Sequence, residues 1–151
     1  MNVRVVCHSG YKGNTLKVGV AIAEVFNIRA ERIGMDRIEF SEPVDLLFVG
    51  SGMLSHKQHR KVRALIRKID PALVKHAAAF GTYGNQSDIG EQIQELLKEQ
   101  GVKVLGKPFA CKGDSIGTKN KGHPDETDLE NAQTFAKYIV VNKLYLNDVV
   151  K

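Results

Sequence analysis

The sequence predicts a three-layer α/β/α sandwich around one parallel sheet of five strands. Three observations predict it: five short apolar runs rich in β-branched residues, amphipathic helical segments between most of them, and a length of 151 residues, which suits one domain. Strands separated by helices pair in parallel through right-handed crossovers, so the helices must cover both faces of the sheet.

The first run, Val3, Val5 and Val6, ends at Cys7, and GNTLKVGVAIAEVF follows as an amphipathic helix. A weaker segment, Ile28 to Ile33, is the expected second strand. The DRIEFSEP that follows is a connection too short for a full helix. Val44 to Val49 (VDLLFV) is almost continuously apolar, as a strand covered on both faces should be, and it stops at Gly50. A helix is expected from about His56 to Ile69, with Ser55 as its cap if the loop before it is an ordinary turn. Val74 to Phe80 repeats the strand pattern, and the helix IGEQIQELLKEQ after it is ended by Gly101. Val102 to Cys111 supplies the fifth strand. The last helix, PDETDLENAQTFAKYIVV, is opened by Pro124 and several acids. The tail, Lys143 to Lys151, holds Leu144, Tyr145, Leu146, Val149 and Val150. It is expected to continue packing on the sheet, with a dimer contact as the alternative.

An apolar fraction of 42% and a charged fraction of 26% fit a packed fold throughout, without linker or repeat, so residues 1–151 are read as one domain. No run approaches a membrane span and the chain enters a strand pattern directly, so a cytoplasmic protein with no membrane partner is expected. Cys7 and Cys111 are far apart and each ends an apolar run; both are read as buried, reduced thiols, and no metal site is expected. Twenty-two Lys and Arg against 17 Asp and Glu give a formal charge of +5, which attracts anionic partners at long range. The most basic stretch is HKQHRKVRALIRK, His56 to Lys68. Its Val62, Leu65, Ile66 and Ile69 fall at helical spacing, which favours a solvated helix face over a nucleic-acid site. His56 and His59 are read as solvent-facing residues of that helix.

In open parallel sheets, ligands bind beyond the carboxyl ends of the strands, near the point where strand order reverses. The loop after the first strand is HSGYKGNT, His8 to Thr15. It offers the Ser9 and Thr15 hydroxyls, the Asn14 amide, glycines at Gly10 and Gly13, and free N–H groups at a helix start whose dipole favours an anion. That combination reads as a phosphate cradle. It is neither GxxxxGK[ST] nor GxGxxG, so a nucleoside triphosphate or dinucleotide site of those kinds is not indicated. The bland alternative is a turn in which Asn14 or Thr15 merely caps the helix.

A strand followed by a Ser-bearing loop and GNT at a helix start resembles the phosphate loop of flavodoxins, which commonly reads S/T-x-T-G-N-T. Gly13, Asn14 and Thr15 match and Ser9 can match, while Tyr11 and Lys12 stand where a Thr or Ser is usual. That substitution removes a hydroxyl and adds a cation, so phosphate would be held partly by charge. The closing KGHPDETDLENAQTFAKYI, Lys121 to Ile139, also resembles the last segment of short flavodoxins. The resemblance implies the strand order 2-1-3-4-5 and flavin mononucleotide (FMN) as cofactor. It further implies that Gly50, Ser51, Gly52, Met53 and Leu54 flank one ring face, where Gly50 and Gly52 would let a peptide reorient beside ring atom N5 and Met53 and Leu54 would touch the ring. Gly81, Thr82, Tyr83, Gly84 and Asn85 would flank the other face, with Tyr83 stacking on the ring.

By that resemblance the chain is a one-electron carrier that needs no catalytic residue, meets redox proteins as donor and acceptor, and acts as a monomer or weak homodimer. Two alternatives remain open at this point: an NAD(P)H-dependent FMN reductase of quinones or similar acceptors, and a flavodoxin-fold module that no longer binds flavin. The basic net charge departs from the acidic character usual in flavodoxins, which points to acidic partners or to another use of the same cofactor.

Overall fold

The computed structural model describes residues 1–115 and 117–144. Its elements in chain order are β1 (Val3–Cys7), α1 (Asn14–Val25), β2 (Ala30–Arg32), β3 (Leu46–Leu54), β4 (Lys57–Gln58), α2 (Arg60–Arg67), β5 (His76–Tyr83), α3 (Ile89–Glu99), β6 (Lys103–Val104), β7 (Phe109–Lys112) and α4 (Glu126–Tyr138). A π-helical turn, Ile139–Leu144, extends α4 and buries Leu144. Tyr145, Leu146, Val149 and Val150 of the expected packing tail lie outside the described residues.

The sheet order is β2-β1-β3-β5-β6, all parallel, with β7 also pairing with β5. The expected fifth strand is thus present but broken, since β6 and β7 meet β5 at separate registers, His76↔Lys103 and Phe80↔Phe109. Gly106, at φ 68°, and Pro108, which has no N–H to donate, account for the break. With β6 and β7 counted as one strand, the order is 2-1-3-4-5.

Side-chain alternation divides the core in two. Val5, Phe48, Ala78 and Phe80 face α1 and α4, where they pack with Ile22, Ala132 and Ile139. Val6, Leu47, Val49, Ala77 and Ala79 face the other way, onto Ile66 of α2 and Ile93 and Leu97 of α3. A strand buried on both faces has no polar side to present, which is why VDLLFV reads as unbroken apolar sequence. No described helix is long and apolar enough to cross a membrane.

Several boundaries differ from the sequence expectation. β3 does not stop at Gly50; it continues to Leu54, because β5 also continues and pairs with it through Gly50↔Phe80, Ser51↔Gly81 and Gly52↔Thr82. α2 begins at Arg60 rather than His56, because Leu54 and Lys57 close an antiparallel hairpin whose two-residue turn is Ser55 and His56, at φ 50° and 68°. The cap of α2 is therefore His59, whose Nδ1 accepts the Lys61 N–H at 3.1 Å, and not Ser55. Pro124 precedes α4 instead of opening it. Asp125 is the cap, in a reciprocal capping box with Asp128. The α3 terminus matches: Gly101, at φ 87°, donates to the Lys98 carbonyl, and Val102 N–H reaches back to Leu97.

Candidate functional site

The carboxyl ends of β1, β3, β5 and β7 surround a cleft of about 580 Å³. It opens beside the β1–β3 pair, where the chain order reverses, as the general rule for such sheets requires. Four segments line it: residues 10–15, the β3–β4 hairpin, residues 82–86, and the loop after β7.

At the mouth of α1 the cap residue is Gly13, at φ 73° and ψ 20°, and no side chain caps the helix from that position. Only glycine adopts this left-handed geometry without strain. Ser9 is buried and its Oγ accepts the Leu16 N–H at 3.1 Å, which satisfies one of the open donors. Among the described residues no acceptor is paired with the N–H of Lys12, Asn14 or Thr15. A Cβ on Gly10 or Gly13 would meet nothing within 4 Å, so the loop stands around open space.

The side chains of the cradle are committed differently from the sequence expectation. The Thr15 hydroxyl is buried and hydrogen-bonds that of Thr82 at 2.8 Å, which ties α1 to β5. Asn14 donates through Nδ2 to the Asp114 carbonyl at 2.8 Å. Lys12 Nζ lies 3.2 Å from an Asp114 carboxylate oxygen, each side chain about one-third exposed. The loop after β7 thus holds the first loop from the opposite lip. Tyr11 is 87% exposed.

Gly50 and Gly81 do not line the cleft. Both lie inside strands, where a Cβ on Gly50 would overlap the Phe80 ring and one on Gly81 would come to 2.7 Å from Ile89 and from the Ser51 carbonyl. The Gly50 carbonyl also accepts the His8 N–H at 3.1 Å. Gly50 is therefore a packing glycine, and its expected role as a freely reorienting peptide does not fit this strand. Gly52 does face the cleft, and a Cβ there would approach Thr15 Oγ1 to 3.3 Å. Ser51 is buried behind it, where its Oγ donates to the Gly52 carbonyl and accepts the His59 N–H. Met53, Tyr83, Gly84 and Asn85 line the walls, while Leu54 is 61% exposed outside them.

Sequence reasoning missed Ser55, His56, Gln86 and the whole lip after β7, including Asp114, Ser115 and Thr118. His56 Nδ1 and Gln86 Oε1 are 2.7 Å apart, so the hairpin tip bridges to the loop after β5. Ser55 and His56 carry none of the Asn-Gly chemistry that marks such a turn. The lip after β7 did carry a signal: KGDSIGTKN is turn-forming sequence at a strand's carboxyl end, the same criterion that selected the other three loops. Buried Asn120 steadies this lip by donating to the Gly84 carbonyl at 2.7 Å.

Beside the cleft, the His8 and His59 rings stack with centroids 3.6 Å apart and planes 13° from parallel. Burial, His59, Lys61 and Arg32 together push the His8 pKa down to about 4, and burial with Arg60, Lys61 and Arg63 lowers that of His59. Burial raises both Cys7 and Cys111 to about 12, so each stays a thiol rather than a reactive thiolate. His123, Asp125 and Asp128 bring their donor atoms within 4.8 Å of one another. The α4 capping box and the 2.6 Å contact between His123 Nδ1 and Asp128 account for that grouping.

The parallel sheet, its strand order and the cleft at the strand reversal define a flavodoxin-like α/β protein. A flavodoxin from the domain Archaea superposes with a TM-score of 0.67 at 20% identity, covering 92% of this chain and 96% of that one. Flavodoxin 2 from Bacillus cereus gives 0.70 at 18% identity, covering 93% and 98%. Within this class the chain belongs to the family of Uncharacterized protein MJ0298 of Methanocaldococcus jannaschii, with which it is 31% identical over 152 residues, covering 94% of this chain and all of the relative. No protein-family model matches the chain.

Proposed function

We propose that the protein binds FMN in this cleft and passes electrons singly between redox protein partners in the cytoplasm. The observation that carries the reading is the mouth of α1: N–H groups at Lys12, Asn14 and Thr15 without acceptors among the described residues, around an open loop, at the positive end of a helix dipole. Such a mouth suits a phosphate ester. The adjoining 580 Å³ falls within the usual range for a pocket holding a small organic molecule, and Met53 and Tyr83 give it apolar and aromatic wall. Two solved neighbours of like fold, those from Archaea and Bacillus cereus, are flavodoxins, which supports a flavin as the ligand.

Bound there, FMN would supply the redox chemistry, and the chain's own residues supply position and environment. Backbone donors at residues 12, 14 and 15 would hold its phosphate. The Thr15–Thr82 bond fixes the cradle against β5, and the His56–Gln86 bridge spans the lips.

Titration of the purified protein with FMN and with riboflavin, followed by visible absorbance, tests this reading. FMN is expected to bind much more tightly, because only it presents a phosphate to the α1 mouth. Equal affinities would remove the cradle assignment, and no binding of either would remove the flavin.

A further inference from the structure

We infer that the outward face of α2, with the hairpin leading into it, is a docking surface for an acidic protein. The redox purpose of such docking rests on the function proposed above, but the surface itself stands on separate observations. Residues 57–63 hold four cations, Lys57, Arg60, Lys61 and Arg63, and no carboxylate. Val62 and Ile66 turn inward to the core, which leaves Arg60, Lys61, Arg67 and Lys68 exposed on the other side of the same helix. Several cations elsewhere have local counter-charges, as in Arg4–Glu31, Arg29–Asp36 and Lys75–Asp45, and others such as Lys17 and Lys137 stand singly on their helices rather than in a cluster. No ion pair among the described residues engages Lys57, Arg60, Lys61, Arg67 or Lys68.

Local stability does not explain this arrangement. The first turn of α2 holds no acid, so its cations stand at the positive end of the helix dipole, the end that disfavours them. The positive field is strong enough to help keep protons off His59 and its stacking partner His8. A surface that bears such uncompensated charge is complementary to carboxylates supplied from outside. An apolar contact adjoins it: Leu54, 61% exposed, is the cross-strand partner of Lys57, and the next residue back, Met53, lines the cleft. An apolar spot with a charged border is the anatomy of a protein interface. α2 carries no aromatic side chain on which a base could stack, which favours a protein over a single-stranded nucleic acid. A partner seated here would lie against the rim of the cleft, where electron transfer requires it.

The test uses an acidic plant-type [2Fe–2S] ferredoxin as probe, with association measured by calorimetry at low and high ionic strength. The whole chain should bind it, with affinity that falls as salt rises. Arg60→Glu/Lys61→Glu should weaken association by about tenfold or more. These substitutions place acids where the α2 dipole favours them, so loss of the fold is not the expected outcome. Lys17→Glu/Lys137→Glu, on α1 and α4, changes net charge equally and should leave binding within about twofold of wild type. Equal loss in both variants, absence of binding, or tighter binding to a single-stranded RNA oligonucleotide than to the ferredoxin would overturn the proposal. Association is read without flavin. A chain that binds ferredoxin but not FMN loses the proposed function and keeps the docking surface, whereas the converse loses only the docking surface.

Discussion

Lys12 sits in the cradle loop, yet its ammonium is 3.2 Å from the carboxylate of Asp114, a residue more than a hundred positions away. From the sequence the lysine reads as a positive charge added to a phosphate site. The fold neutralises part of that charge and sets a carboxylate at the same mouth. The two residues should therefore act on a bound phosphate in opposite directions. Asp114→Asn is expected to tighten FMN and Lys12→Ala to weaken it, each by up to about fivefold, the range of a solvent-screened pair. Riboflavin, with no phosphate, should respond to neither, so the ratio of the two dissociation constants is the quantity to measure. Equal responses to FMN and riboflavin would place the pair outside the phosphate's reach. The sequence displayed Lys12 because the loop motif drew attention to it. It hid Asp114, since only the third dimension brings residue 114 to residue 12. Gly50 shows the same limit from the other side: its glycine character was visible, but the Phe80 ring that requires it was not.

Among the elements, the strands were legible and the ends of β3 and α2 were not. Continuous apolar runs announce a doubly covered sheet whatever their partners, and Pro124 with its acids placed α4 to within two residues. The β3–β4 hairpin left no such trace. Polar Lys57 and Gln58 pair there because β3 overruns the sheet, and the turn is built from Ser55 and His56 in left-handed conformations that neither residue advertises. That hairpin delivers His59 to the start of α2, where it both caps the helix and stacks on His8 of the segment leaving β1. Capping uses a lone pair on Nδ1, so the proton of the neutral ring resides on Nε2 and protonation at Nδ1 breaks the cap. Both pKa values are lowered in the fold, that of His8 to about 4 from an ordinary 6.5. Between those values the unfolded chain binds more protons than the folded one, so stability is full above pH 6.5 and declines as pH falls toward 4. The lowered carboxyls of Asp36, Asp88 and Asp128 act below their ordinary value of 3.8, under that window. Denaturant midpoints measured across this range should fall with acidity in the wild type and flatten in His8→Phe/His59→Asn. An unchanged slope in the double variant would show that the stack does not set the acid limit.

At the scale of the whole molecule, the cleft is assembled from four segments spread between residues 10 and 118, joined by the Thr15–Thr82, Asn14–Asp114, His56–Gln86 and Gly84–Asn120 hydrogen bonds. Unfolding separates all four, so a ligand that needs them together binds the folded chain alone. Its binding energy is then added to global stability. With FMN at a hundred times its dissociation constant the added stability is about 2.7 kcal/mol. For a chain of this size each kcal/mol raises the melting temperature by roughly 2–4 °C, so a rise of about 5–10 °C is expected. Riboflavin at the same concentration engages the walls but not the α1 mouth, and should give a clearly smaller rise. The comparison also separates a built site from loose association of a flat ring with an exposed patch, because the latter survives in the unfolded chain and raises the melting temperature little. Thermal scans by circular dichroism with each ligand measure the difference. Identical shifts for the two flavins would mean that the helix mouth takes no part in holding the ligand.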